Sequence, residues 1–266
     1  MKLFFRWNRL VCWNRLGIFL LALSVAGCAA RTGGGSAGTP QQSTTQAQAR
    51  AKIHTELAAQ YYQREQHGIA LEELEIALQA EPRYAPAFNL RGLVRMELHE
   101  FKKADEDFRE SLRLEDDAEA HNNYGWFLCQ RGKEPDGIEH FMQALKNPLY
   151  QTPEKAYLNA GVCSRKGGKA KESEEFLKKA LRLQPNMPEA LLALAELSFD
   201  NADYAAAKSY FIQFSQNNIS PLTAENLWLA VRIERKVRDK KSEESYAAQL
   251  QQRFPDAHET QLLRQR

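Results

Sequence analysis

The chain has 266 residues, 26% of them charged and 43% apolar, with a formal net charge of +2. These proportions fit a globular protein, and a near-balanced charge excludes an electrostatic case for binding nucleic acid or an anionic membrane surface. The length suffices for a sizeable core, as one domain or as a stack of small units.

Met1 to Arg15 carries Lys2, Arg6, Arg9 and Arg15 and no acidic residue, and an apolar run follows from Leu16 to Ala26. About eleven residues rise only ~16 Å as a helix, short of the ~30 Å hydrocarbon core. A basic start, a short apolar stretch and small residues at its end are the layout of a secretory signal, here 1–27. Val25-Ala26-Gly27-Cys28 resembles the bacterial lipobox, which implies cleavage before Cys28 and a covalent lipid on its thiol. Ala29, rather than aspartate, implies sorting to the outer membrane, on its periplasmic face. Removing four basic and no acidic residues takes the net charge from +2 to −2. Beyond that lipid, no cofactor is expected.

Residues 28–50 are mostly Gly, Ser, Thr, Gln and Ala, too poor in large apolar groups to offset the entropy of ordering. They read as a flexible tether of roughly 25 Å r.m.s. reach. The glycines at 33–35 lack the flanking strand and Lys-Ser/Thr of a phosphate loop.

From Ala51 the chain repeats with a period of about 34 residues. In segments starting at Ala51, Ala85, Ala118, Glu154 and Pro188, the eighth residue is always small: Ala58, Gly92, Gly125, Gly161, Ala195. So is the twentieth (Ala70, Ala104, Gly137, Ser173, Ala207), while the twenty-fourth is large and apolar (Leu74, Phe108, Phe141, Leu177, Phe211). Two antiparallel helices approach closely where side chains are small, and the large residue fills the adjacent space. Proline at 82, 148 and 185 ends second helices, because it lacks the N–H and clashes with the preceding turn. Each helix pair keeps one uncovered apolar face, so pairs must stack. The segments resemble the tetratricopeptide repeat. The expectation is an all-α superhelix, an α-solenoid of about six helix-turn-helix repeats spanning 51–257. The repeats fall near 51–84, 85–117, 118–153, 154–187, 188–222 and 223–257, the last uncertain in register by one residue. Residues 258–266 form a C-terminal tail.

Catalytic patterns are missing: the six histidines show no metal-ligand spacing, and no nucleophile elbow, P-loop or dinucleotide fingerprint occurs. Acidic clusters such as Glu72-Glu73-Glu75 and Glu115-Asp116-Asp117 read as solvated faces and loop ends. The chain is therefore not expected to be an enzyme or to take a small-molecule substrate.

Two constellations remain. Positions 2, 5, 9, 12 and 13 of each first helix form one helical stripe facing the inner groove. There the chain places Tyr62, Leu93, Met96, Trp126, Leu158 and Val162, an apolar set suited to a protein-binding groove. The alternative is that the next repeat or the tether covers some of them. Thr55, Ala59 and Leu90 stand where carboxylate-gripping repeat domains need basic and Asn residues, so an apolar extended or helical partner segment is expected. Cys129 and Cys163 lie one repeat apart on consecutive first helices, close enough to bridge in an oxidising compartment. Two buried free thiols are the alternative to that disulfide.

A lipobox, a polar leash and about six repeats together resemble the outer-membrane lipoproteins of type IV pilus biogenesis, the PilF/PilW family. Local stretches carry the resemblance: Asn122–Gly132 (NNYGWFLCQRG), Leu158–Cys163 (LNAGVC), Ser245–Leu250 (SYAAQL) and Arg253–Asp256 (RFPD). The resemblance implies a monomeric pilotin that binds the secretin subunit, promotes its outer-membrane localisation and multimerisation, and so supports twitching motility. The alternative is a periplasmic repeat lipoprotein scaffolding another envelope complex, in peptidoglycan synthesis or outer-membrane protein assembly.

Overall fold

The computed structural model describes residues 40–265, with side chains from Thr45 onward. The expected signal peptide, the lipidated Cys28 and the tether as far as residue 39 lie outside the described residues. Thirteen helices and no strand are found among the described residues. They run as α1 (Pro40–Gln63) and α2 (His67–Ala80), then α3 (Ala85–Glu97) and α4 (Phe101–Leu114), then α5 (Ala118–Gln130) and α6 (Glu134–Ala144). The order continues with α7 (Pro153–Lys166) and α8 (Ala170–Leu183), α9 (Pro188–Asp200) and α10 (Tyr204–Asn217), α11 (Ala224–Val237) and α12 (Lys240–Arg253), and ends with α13 (His258–Arg264). Each odd-numbered helix from α1 to α11 packs on the helix after it, and each pair packs on the next pair. The fold is an all-α tetratricopeptide-repeat solenoid of about six repeats.

The repeat pattern works through close approach. A Cβ built on Gly125 would come 2.8 Å from the Gly137 carbonyl oxygen and 2.9 Å from the Phe141 ring. Gly92 meets Phe108 and Gly161 meets Leu177 in the same way. The eighth residue thus accommodates the large twenty-fourth residue of its own second helix. Phe108, Phe141 and Leu177 are fully buried as a result. Pro86, Pro153 and Pro188 stand in the first turn of their helices, where the missing N–H costs no hydrogen bond.

Every turn between paired helices carries one left-handed residue: Glu65, His99, Gly132, Gly168, Ala202 and Arg238. In the first five repeats each is the fifteenth residue of its unit. Counting Arg238 as fifteenth puts the start of the sixth unit at Ala224, which is also the first residue of α11. Leu250 then occupies position 27 and packs against Ala224 and Leu227, much as Ser111 donates to the carbonyl of Ala85. The register of the sixth repeat is thereby one residue later than the expected start at Thr223. Thr223 is instead the N-cap of α11, in a reciprocal capping box with Asn226.

One segment differs from the sequence reading. The helix α1 begins at Pro40, inside the stretch expected to be a tether, because Gln and Ala carry high helix propensity and simply extend the first repeat helix. Within the expected C-terminal tail, residues 258–264 are helical. There Thr260 is fully buried and donates to the Phe254 carbonyl at 2.6 Å, and Leu263 joins the cluster around Leu227 and Leu250. This short helix covers the face the last repeat would otherwise leave open.

Candidate functional site

The inner stripe is built by α1, α3, α5, α7, α9 and α11. Tyr62 flanks the cluster of Ala58, Leu74 and Val94, and its phenol is raised above its ordinary value by burial, then by Glu97. Leu93 and Met96 flank the cluster of Phe108 and Tyr124. Trp126 borders the cluster holding Cys129 and Cys163, and Leu158 and Val162 border that of Leu177 and Leu194. All six are half-buried. They are packing residues on one side and surface on the other, because each stripe is flanked by the neighbouring repeat. The most exposed large apolar side chains lie elsewhere, including Ile53, Leu149 and Ile219.

Polar groups bind consecutive first helices together beside this stripe. Asn123 donates to Asn89 at 3.3 Å, and Asn159 donates to Asn122 at 3.0 Å, with Asn122 buried. Cys129 and Cys163 form a disulfide joining α5 to α7, with Cα atoms 5.8 Å apart. Beside it, the Lys166 ammonium donates to the Cys129 carbonyl at 3.0 Å, a cation on the orphan carbonyls at the end of α5.

Past the third repeat the stripe changes character. With the sixth unit in register, positions 9, 12 and 13 read Val162, Arg165, Lys166, then Glu196, Phe199, Asp200, then Arg232, Arg235, Lys236. Arg165 pairs with Glu196 and, at 3.1 Å, with Asp200. Sequence reasoning missed the Arg232 set because the last register was ambiguous; the spacing of the inter-helix turns would have resolved it.

The opposite side holds a cluster that sequence separation concealed. His121 and His140, nineteen residues apart, bring their Nδ1 atoms to 2.8 Å, and His121 Nε2 lies 2.7 Å from Asp116. Burial, then the neighbouring His121, lowers His140 below the ordinary imidazole value. The Tyr124 hydroxyl donates to Asp105 at 2.8 Å and accepts from Arg109 at 3.0 Å, and burial pushes it up to about 12. Arg109, Asp116, His121, Tyr124 and His140 line a cleft of about 560 Å³. Among the described residues no group of three or more His, Cys, Asp or Glu side chains is arranged to hold a metal ion. Nor is any described helix long and apolar enough to cross a membrane.

Residues 154–187 match the tetratricopeptide repeat family model. The chain is similar to the type IV pilus assembly protein PilF of Pseudomonas aeruginosa, 28% identical over 245 residues that span 92% of this chain and 95% of the relative. It also resembles an uncharacterized protein of Haemophilus influenzae, 24% identical over 148 residues, 55% of this chain and 83% of the relative. Among solved structures, PilW, described as a widely conserved type IV pilus biogenesis factor, superposes with a TM-score of 0.76 at 34% identity, covering 80% of this chain and 97% of PilW. The Pseudomonas aeruginosa PilF structure gives 0.73 at 27% identity, covering 83% of this chain and 98% of that one.

Proposed function

Because this chain belongs to the PilF/PilW family of type IV pilus biogenesis factors, we propose that it is the pilotin of its pilus machine. It binds the secretin subunit in the inner groove and brings it to the outer membrane for multimerisation. Its work is binding rather than catalysis. The lipid on Cys28 anchors it to the periplasmic face of that membrane, with residues 28–39 and the start of α1 as the connection and the repeats, as a monomer, as the working body. The observation that carries this reading is the 34% identity to PilW across 97% of that chain, in a shared superhelix.

The half-buried row Tyr62, Leu93, Met96 and Trp126 supports an apolar contact with secretin, since its outer side is aromatic and thioether surface over a firm core. Leu158 and Val162 continue that row into the fourth repeat. Met96→Glu or Trp126→Ala is expected to weaken secretin capture at least tenfold in a pull-down, with the helical circular dichroism unchanged. Cys28→Ala is expected to leave the fold intact, mislocalise the secretin and lower its multimer level. Normal secretin multimers in a Cys28→Ala strain would overturn the ferrying mechanism.

A further inference from the structure

The groove's second half has a chemistry different from its first. At its end, Phe199, Asp200, Tyr204, Arg232, Arg235 and Lys236 line a cleft of about 400 Å³ between the fifth and sixth repeats. The Arg232 guanidinium lies 4.2 Å above the centre of the Phe199 ring, and the Lys236 ammonium 5.6 Å from that of Tyr204. The other charges are already committed: Arg235 donates to Glu243 at 2.6 Å, and Asp200 is held by Arg165. Among the described residues, no carboxylate lies within ion-pair distance of Arg232 or Lys236.

That arrangement selects for an anion. A guanidinium stacked on an aromatic face keeps its in-plane N–H donors free, and their fork matches a carboxylate. The ring holds the guanidinium in place, so less entropy is lost when a ligand arrives. Lys236 adds a second, more mobile cation one helical turn further along α11. Counting from the N-terminal end, positions 9, 12 and 13 of the stripe therefore run from apolar (Leu93, Met96, Trp126) to cationic (Arg232, Lys236), while Leu192 and Trp228 keep position 5 apolar in the last two repeats.

We infer that the fifth and sixth repeats recognise a carboxylate-rich stretch of the extended partner segment whose apolar part lies in the first three repeats. The inference rests on the groove being the partner site. It adds a polarity to that site: the segment lies with its apolar end toward α1 and its acidic end toward α11. Charge complementarity identifies the occupant as an acidic peptide rather than a second apolar element, since Arg232 and Lys236 would be desolvated without a partner by an apolar one.

Two fluorescein-labelled twelve-residue peptides test this, both with leucines in the first half and either four glutamates or four glutamines in the second. With the full chain in detergent, fluorescence anisotropy should show the glutamate peptide binding roughly tenfold tighter, an advantage that shrinks as salt rises. R232Q/K236Q should reduce the glutamate peptide to the affinity of the glutamine peptide, whereas Trp126→Ala should weaken both equally. Equal binding of the two peptides to the unaltered chain, a reading that needs no variant, would overturn the inference. So would R232Q/K236Q keeping the preference, or losing binding to phosphatidylglycerol vesicles instead of to the peptide. Because the assay contains no secretin, its failure leaves the proposed function standing. Unaltered secretin capture by the Met96→Glu chain would instead take the secretin contact off the groove's apolar row without touching the peptide result.

Discussion

A methyl group added at Gly125 would face the Gly137 carbonyl, a backbone atom that cannot rotate away, and the Phe141 ring beside it. Gly125→Ala is therefore expected to destabilise the protein by about 1–3 kcal/mol, although alanine is otherwise the better helix former by about 1 kcal/mol. A thermal melt followed by circular dichroism reads the sign directly; a raised midpoint would refute the close-contact account. His140 supplies a pH dependence at the same scale. Its imidazole is depressed below 6.5, first by burial and then by His121 with Arg109, against the opposing carboxylates of Glu139 and Asp136. As pH falls below 6.5 the unfolded chain takes up that proton first, so stability present above 6.5 is lost as pH falls through the folded value. The urea midpoint should be lower at about pH 5.5 than at about pH 7.5, and His140→Gln should flatten the difference. Identical pH profiles for the two chains would dismiss the role of His140.

Among the elements, α5 and α7 are the pair joined covalently. Their disulfide closes a loop with a sequence separation of 34, and in the chain-entropy model it contributes about 3–4 kcal/mol. Melting with and without reductant should show a lower midpoint for the reduced chain, and an unchanged midpoint would mean that packing alone sets this seam. The helix pairs were legible in the sequence because small residues at positions 8 and 20 and a large one at 24 report a contact inside one unit. What stayed hidden involved partners distant in sequence or single units off the pattern. Nothing local marks His121 and His140 as neighbours, because the α5–α6 packing alone brings them together. Nor did residues 40–50 advertise a helix, since a polar Gln-Ala stretch has no apolar face to reveal the period. The six expected groove side chains are half-buried, and that half-burial depends on neighbouring repeats, which a single-unit pattern does not describe. The cationic end was missed because Glu243 stands at position 20 of the sixth unit, where the other repeats have a small residue.

Taken whole, the body is a one-dimensional array in which contacts run between neighbours, so its ends need sealing. At the C-terminal end α13 does this, with Thr260 and Leu263 covering Leu250 and Phe254. Ending the chain at Arg253 should lower the melting midpoint by several degrees and produce concentration-dependent association in light scattering, because a repeat face is left uncovered. A truncated chain that stays monomeric and melts normally would show that the sixth repeat seals itself.

The bridge between α5 and α7 also has a mechanical consequence. Under the proposed function the chain would hold a secretin subunit, and a stack of helix pairs under tension lengthens by peeling one pair after another. The covalent tie takes the residues between Cys129 and Cys163 out of that process: with a separation of 34 and roughly 3.4 Å per extended residue, about 115 Å of contour length stays locked. Pulled from its ends, the chain would extend its two outer portions and leave the residues between the two cysteines, α6 among them, unextended at the centre. Single-molecule stretching of oxidised and reduced protein would register that locked length as the difference between their final extensions.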